Sequence, residues 1–303
     1  MKKIVSISLG SSQRNHKHII EAAGEKVEME RIGTDGDVNH AIRLVQEMDG
    51  KVDAIGLGGI SMYLYAAGRR YVLDEARRIA SHAQQTPVVD GAGIKNSIEG
   101  KLAGIFEEKS GEKLAGRKAL IVSATERYAM AESLLAAGCQ LVIGDLIFAI
   151  GLPIPIYSLR TLDRVGKALL PLVCRLPIKL LYPTGTKQEE QKSAKKATRY
   201  LEEAEILTGD FHYIRRYLPE RIDGKIVISN TVTKADRELL AARGASWLVT
   251  ASPELGGRSF ATNILDALIV AVSGRRPEEL TAADYEYHLK RLSLYPRVEK
   301  LQV

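Results

Sequence analysis

The sequence predicts an α/β protein of two units, each with parallel strands joined by helices. Strand-type and helix-type hydrophobic periods alternate from the first residues, and strands separated by helices cannot pair as hairpins. The 303 residues suffice for two modest cores. With 45% hydrophobic and 26% charged residues, the composition is that of a folded globular chain.

In order along the chain, strands are expected at 3–9 (KIVSISL), 26–32, 52–57 (VDAIGL) and 86–89. Between the second and third, Val38, Ile42, Val45 and Met48 recur at helical spacing behind Asp35 and Asp37. A helix at 94–108 leads into SGEKLAGRK (110–118), a polar, glycine-containing stretch taken as the boundary. The second unit opens with a strand at 118–123 (KALIVS), a helix at 126–137 closed by Gly138, and a strand at 140–143 ending at Asp145. A proline-interrupted helical insertion follows through 160–174, then strands at 178–182, 205–208, 225–229 and 247–250. The segment 262–272 (TNILDALIVAV) is apolar on nearly all faces and reads as a buried helix. The expected organisation is thus an N-terminal α/β substrate domain (1–110), a doubly wound domain with a helical insertion (111–275), and an amphipathic segment (276–303) directed back toward the first domain.

Composition narrows the function classes. Apolar stretches such as 266–272 are far shorter than the roughly 20 residues of a membrane span. The start, MKKIVSISLG, alternates like a strand and reaches Gly10 without a cleavage site, so a cytoplasmic protein is expected. Cys139 and Cys174 have neither CxxC spacing nor a nearby histidine pair, and are read as buried thiols. His16 and His18 lack a third ligand nearby, so no metal is expected. The net charge of +6 would suit a polyanion, but the charge run at 187–199 (KQEEQKSAKKATR) interleaves glutamates without a recognition motif. The expected partner is a small molecule, not nucleic acid or membrane, and a homodimer is compatible with the sequence.

The segment KALIVSATERYAMAESLLAAGCQLVIGD keeps the spacing of a dinucleotide-binding strand, turn, helix and strand with a terminal acid, Asp145. This makes the second domain Rossmann-like. The three glycine positions of that pattern hold Val122, Ala124 and Arg127. One reading has Ser123, Ala124, Thr125 and Arg127 binding phosphate, through hydroxyls and a guanidinium, and Asp145 binding ribose. The other is an ordinary strand–helix turn in which Glu126 and Arg127 favour the helix start. In open parallel sheets ligands sit beyond the carboxyl ends of the strands, which directs attention to 123–127, 144–145, 208–210, 229–233 and 250–259. Gly256 and Gly257 would let backbone amides approach a ligand, or simply form a turn.

In the first domain, DGAGIKN (90–96) places an acid, a lysine and an amide after a strand. Lys95 could exchange a proton with a hydroxyl beside Asp90, or begin a helix facing solvent. Ser11, Ser12, Arg14 and His16 suit a polyhydroxylated or carboxylated ligand. Tyr63, Tyr65 and Arg69 lie after the third strand, where packing is the competing role.

Across nearly its whole length the chain resembles a bacterial group labelled quinate 5-dehydrogenase, relatives of the shikimate and quinate dehydrogenases. The resemblance rests on SLGSS, RIGTDGD, GLGGISMYLYAAGRRY, VDGAGIKN and TASPELGGRSFATNILDAL. It implies a substrate domain followed by an NAD or NADP domain, with Lys95 and Asp90 as the catalytic pair around a substrate hydroxyl. Ser11, Ser12 and Asn96 would then hold ring hydroxyls or carboxylate, and the nicotinamide would lie along Thr208, Asn230 and Thr250. Asp145 would favour NAD by repelling a 2′-phosphate, and Arg127 would favour NADP. The family's N-T-D segment, its proline-aromatic step before the lysine and its glycine-rich loop have no counterpart. Those departures leave a second expectation, a non-catalytic nucleotide or metabolite sensor using the same interdomain cleft. A third is a transferase or isomerase of a phosphorylated sugar, with Arg127 and the Gly256/Gly257 turn on phosphate.

Overall fold

The computed structural model describes residues 1–22, 24–182, 195–255 and 258–301. The Gly256/Gly257 turn and most of the 187–199 charge run lie outside the described residues. In the first part of the chain are β1 (Lys2–Ser8), β2 (His16–Ala22), β3 (Glu25–Gly33), α1 (Val38–Met48), β4 (Ala54–Gly58), the hairpin β5 (Tyr63–Ala66) and β6 (Arg69–Val72), α2 (Asp74–Ala80) and β7 (Val88–Val89). The sheet order is β2-β3-β1-β4-β7, parallel except for the edge strand β2. Both faces are buried, as parallel sheets require. On one face, Val5, Ile7, Ile55 and Leu57 pack with Ala41, Leu44 and Val45 of α1 and Ala76 and Ile79 of α2.

The chain continues through α3 (Ala92–Asn96), a 3-10 turn (Glu99–Lys101) and α4 (Leu102–Ser110) into β8 (Lys118–Ile121), α5 (Tyr128–Ala136) and β9 (Gln140–Ile143). Then come α6 (Asp145–Phe148), α7 (Leu159–Val173), α8 (Ile178–Leu181), α9 (Lys195–Glu203), β10 (Ile206–Gly209), α10 (Phe211–Tyr217), β11 (Ile226–Ser229), α11 (Lys234–Ala242) and β12 (Trp247–Thr250). The short pair β13 (Glu254–Leu255) and β14 (Arg258–Ser259) precedes α12 (Thr262–Ser273), α13 (Ala282–Arg291) and β15 (Arg297–Lys300). The second sheet runs β15-β12-β11-β10-β8-β9, with only β15 antiparallel. From β8 onward this is a doubly wound order, 2-1-3-4-5, with its reversal between β8 and β10. The first sheet reverses in the same way between β1 and β4.

Several local expectations are corrected. The strand expected at 178–182 is instead the helix α8 over Ile178–Leu181, with Tyr182 as its extended C-cap: Ile178 and Leu181 are buried while Lys179 and Leu180 are exposed, a spacing of three that a pleat cannot satisfy. β2 escaped detection because HKHIIEA has no apolar alternation; it pairs with β3 around Gly24, at φ +80°. α12, grouped by sequence with the second domain, packs its Ile264 and Leu268 into the core that contains Ile4, Ala54 and Val89 of the first sheet. In the C-terminal segment Tyr285 of α13 reaches the start of α3, while β15, a strand the sequence reading did not include, completes the second sheet.

Candidate functional site

The carboxyl ends of β1 and β4 and those of β8 and β10 face one another across a cleft lined by polar side chains and open at its mouth. Ligand crevices form at such reversal points because neighbouring loops there diverge to opposite faces of the sheet. Here two reversal points share one crevice.

Asp90 follows β7, and Lys95 lies one helical turn on, in α3. The lysine is 4% exposed and the aspartate 3%, so the solvent-facing reading of Lys95 is wrong. Lys95 Nζ lies 3.5 Å from Asp90 Oδ2 and donates to Ser61 Oγ at 2.8 Å. Asp90 is fixed by the Met62 and Ala92 backbone N–H groups. Ser61 donates onward to Glu126 Oε2 at 3.2 Å. Burial pushes the Glu126 carboxyl above its usual range, with Lys95 opposing that shift, and burial pushes the neighbouring Tyr182 phenol well up. A continuous hydrogen-bonded path therefore runs from Lys95 through Ser61 to Glu126.

Arg14 and Arg31 add positive charge on the first-sheet side. Arg31 donates to Ser8 Oγ and the Ser11 carbonyl, both at 3.0 Å. Ala261, Thr262 and Asn263, at the start of α12, line the same cleft, and the N-cap Ala261 offers no side-chain acceptor. The positive end of that helix thus faces the ligand space. The opposite wall carries Asp210, His212 and Asn230. Burial opposes ionisation of Asp210, but the Arg127 guanidinium and His212 hold its carboxyl below the ordinary value; burial also lowers the His212 imidazole.

Of the residues singled out by sequence, Arg14, Asp90, Lys95, Arg127 and Asn230 line the cleft. The others lie elsewhere. Ser11 accepts from Gln13 N and Ser12 N donates to Asp35, so both serve their own turn. Asn96 donates to Tyr65 Oη, in a separate groove beside Tyr285. Thr208 and Thr250 are fully buried; their hydroxyls go to Met130 Sδ and the Ser252 carbonyl. Asn230 accepts from Phe211 N and donates to Asp210. Arg127 is locked between Glu99 and Asp210 Oδ2, the latter at 3.0 Å. Ser123, Thr125 and Asp145 border an apolar groove under α7, next to the polar cleft.

The NAD or NADP implied by the resemblance was to sit on the turn after β8. Asp145 already takes the Ala124 N–H (2.8 Å), the Thr125 N–H (2.8 Å) and the Thr125 hydroxyl (2.6 Å). With those donors filled and Arg127 ion-paired, the residues present do not fit a dinucleotide pyrophosphate there. Ser61, Glu126, Arg31 and His212 were missed as site residues. The rule that pointed to strand ends reached their loops, but only the fold brings loops of two sheets together.

Among the described residues no helix is long and apolar enough to cross a membrane, and no group of three or more His, Cys, Asp or Glu side chains could hold a metal. His16 and His18 lie on β2, with ring centroids 5.2 Å apart.

These features define an α/β protein of two doubly wound sheets whose facing reversal points enclose a polar, buried acid–base cluster. The chain belongs to the family described as domain of unknown function DUF8754, whose profile matches residues 93–301. A second profile, domain of unknown function DUF8753, matches residues 3–90. No curated protein matches the chain. Among solved structures, an NAD-dependent malic enzyme from Thermotoga maritima is 14% identical (96% of this chain, 83% of that one; TM-score 0.36). L-tryptophan dehydrogenase from Nostoc punctiforme is 11% identical (96% and 80%; TM-score 0.39). A galactofuranose binding protein is 13% identical (97% and 99%; TM-score 0.37). Likeness at this level carries no argument about activity.

Proposed function

We propose that the cleft binds a small hydroxylated carboxylate, of the quinate or shikimate class, and that Lys95 exchanges the proton of one of its hydroxyls. The observation that carries this reading is the buried Asp90–Lys95–Ser61–Glu126 path at the cleft floor. Lys95 passes a proton through Ser61 to the Glu126 carboxylate, which burial predisposes to hold it, and the freed amine takes the substrate hydroxyl proton. Asp90 keeps the lysine in place. Arg14, Arg31 and the positive end of α12 attract the carboxylate. In the oxidation that the resemblance implies, a nicotinamide would receive the hydride. That cofactor has no seat on the turn after β8, so the reading is confined to the proton-transfer half.

The same turn favours a second reading, a metabolite sensor without turnover. Titration calorimetry with quinate and shikimate, paired with turnover assays with and without NAD or NADP, tests the two. Lys95→Met is expected to leave binding within about tenfold and to lower any turnover by at least ~100-fold, the range of a lost general acid–base group. Binding without turnover in the wild type selects the sensor, and no binding of either acid sinks both.

A further inference from the structure

Three features that would serve a dinucleotide in a doubly wound domain are committed here to contacts within the chain. The N–H groups of Ala124 and Thr125, where backbone would meet pyrophosphate, both donate to Asp145. Asp145 itself, at the strand end where an acid would take the ribose hydroxyls, is turned back onto that loop and buried. Arg127, the cation on the same turn, is 2% exposed and held by Glu99 and Asp210. The space alongside is lined mostly by apolar side chains, among them Leu146, Ala149, Ile156, Leu162 and Val165, and its lining includes no Lys or Arg to meet a phosphate.

We infer that Asp145 is a resident anion, its carboxylate filling the seat that a pyrophosphate would occupy on the turn after β8, so that this protein works without a dinucleotide on that turn. The physical reason is competition for the same donors. Two N–H groups and a hydroxyl that already satisfy a buried carboxylate gain nothing by exchanging it for a phosphate, which would leave the carboxylate buried without partners. The lost glycines follow: with no phosphate to approach the backbone, side chains at 122, 124 and 127 cost nothing there. The inference goes beyond the reading of the cleft, since quinate or shikimate can bind or fail to bind whatever the outcome at this turn.

The test uses the full chain, wild type and Asp145→Ala, in thermal unfolding with NADH, NADPH, ADP-ribose and inorganic pyrophosphate at millimolar concentration. Wild-type Tm is expected to stay unchanged with all four, and that of Asp145→Ala to rise with pyrophosphate by several degrees as the emptied seat takes an anion. A folded Asp145→Ala that pyrophosphate does not stabilise overturns the inference. Should that variant fail to fold, backbone amide resonances of the wild type decide: unchanged Ala124 and Thr125 signals with saturating NADH and NADPH support the resident anion. Their displacement, with saturable binding, overturns it.

Discussion

Asp266 sits in the middle of the most apolar helix of the chain and is 1% exposed. It is tolerated because Tyr285 Oη donates to Oδ1 at 2.6 Å and the Gly93 N–H donates to Oδ2 at 3.2 Å. Desolvation nonetheless dominates and pushes its carboxyl up to about 7. Between the unfolded value near 4 and this folded value, the native state keeps a proton that the unfolded chain releases. Stability from this group is therefore complete below about pH 4 and is lost as pH rises toward 7. Asp266→Asn is expected to flatten the fall in unfolding free energy between pH 5 and pH 8, by a few kcal/mol at most, as read from urea midpoints. A wild-type profile already flat over that range would refute the assignment. Gly93 could not be replaced here, since a Cβ would lie 2.0 Å from the Tyr285 ring. At this scale Lys95 and Asp90 were legible because VDGAGIKN carries both within one turn of chain. Ser61 and Glu126, which complete the cluster, are 65 positions apart and belong to loops of different sheets.

The hairpin β5–β6 illustrates what a single element can reveal. Its turn residues, Ala67 at φ +53° and Gly68 at φ +66°, are both left-handed, as a two-residue hairpin turn of the I′ type demands. Gly68 supplies this freely, but alanine is strained there. Asparagine tolerates the conformation, so Ala67→Asn is expected to stabilise the protein by ~0.5–1 kcal/mol, measured by denaturant midpoint. No gain, or a loss, would show that the left-handed backbone at Ala67 does not limit stability; the bond from Ala67 N to Asp163 is kept in either variant. The hairpin also reaches the second sheet, where Tyr65 N donates to the Thr125 carbonyl. Sequence patterning found the strands that are apolar on alternate or both faces. It missed this hairpin, whose outer strand RRYV has no fully buried residue, and β2, for the same reason. It took α8 for a strand because four residues are too few to distinguish a period of two from one of 3.6.

Across the whole molecule, the two sheets are joined by polar ties as well as by α12. Arg127 links α5 to Glu99, which is 0% exposed, and to Asp210 after β10. Removing one partner leaves a buried charge uncompensated, so Arg127→Met is expected to cost about 3–5 kcal/mol. The double variant Arg127→Met with Glu99→Gln should recover a substantial part of that, and chemical denaturation of the three proteins checks it. Equal losses in single and double variants would mean that Arg127 acts through packing alone. α12 makes the other tie: Asn263 Nδ2 donates to Ser6 Oγ at 2.7 Å, and Gly56 admits the helix because a Cβ there would lie 2.7 Å from the Asn263 carbonyl.

By itself the sequence determined the alternation of strands and helices, the burial of 262–272, and the neighbourhood of Asp90 and Lys95, because each is a property of contiguous residues read at a period of 2 or 3.6. The tertiary structure alone decided which side of Asp145 meets which donors, that Arg127 is a structural ion and not a free cation, and that two strand-end loops form one cleft. Those outcomes depend on competition among polar groups brought together from distant positions. In a buried setting each donor goes to the partner the fold supplies, and spacing along the chain does not say which partner that is.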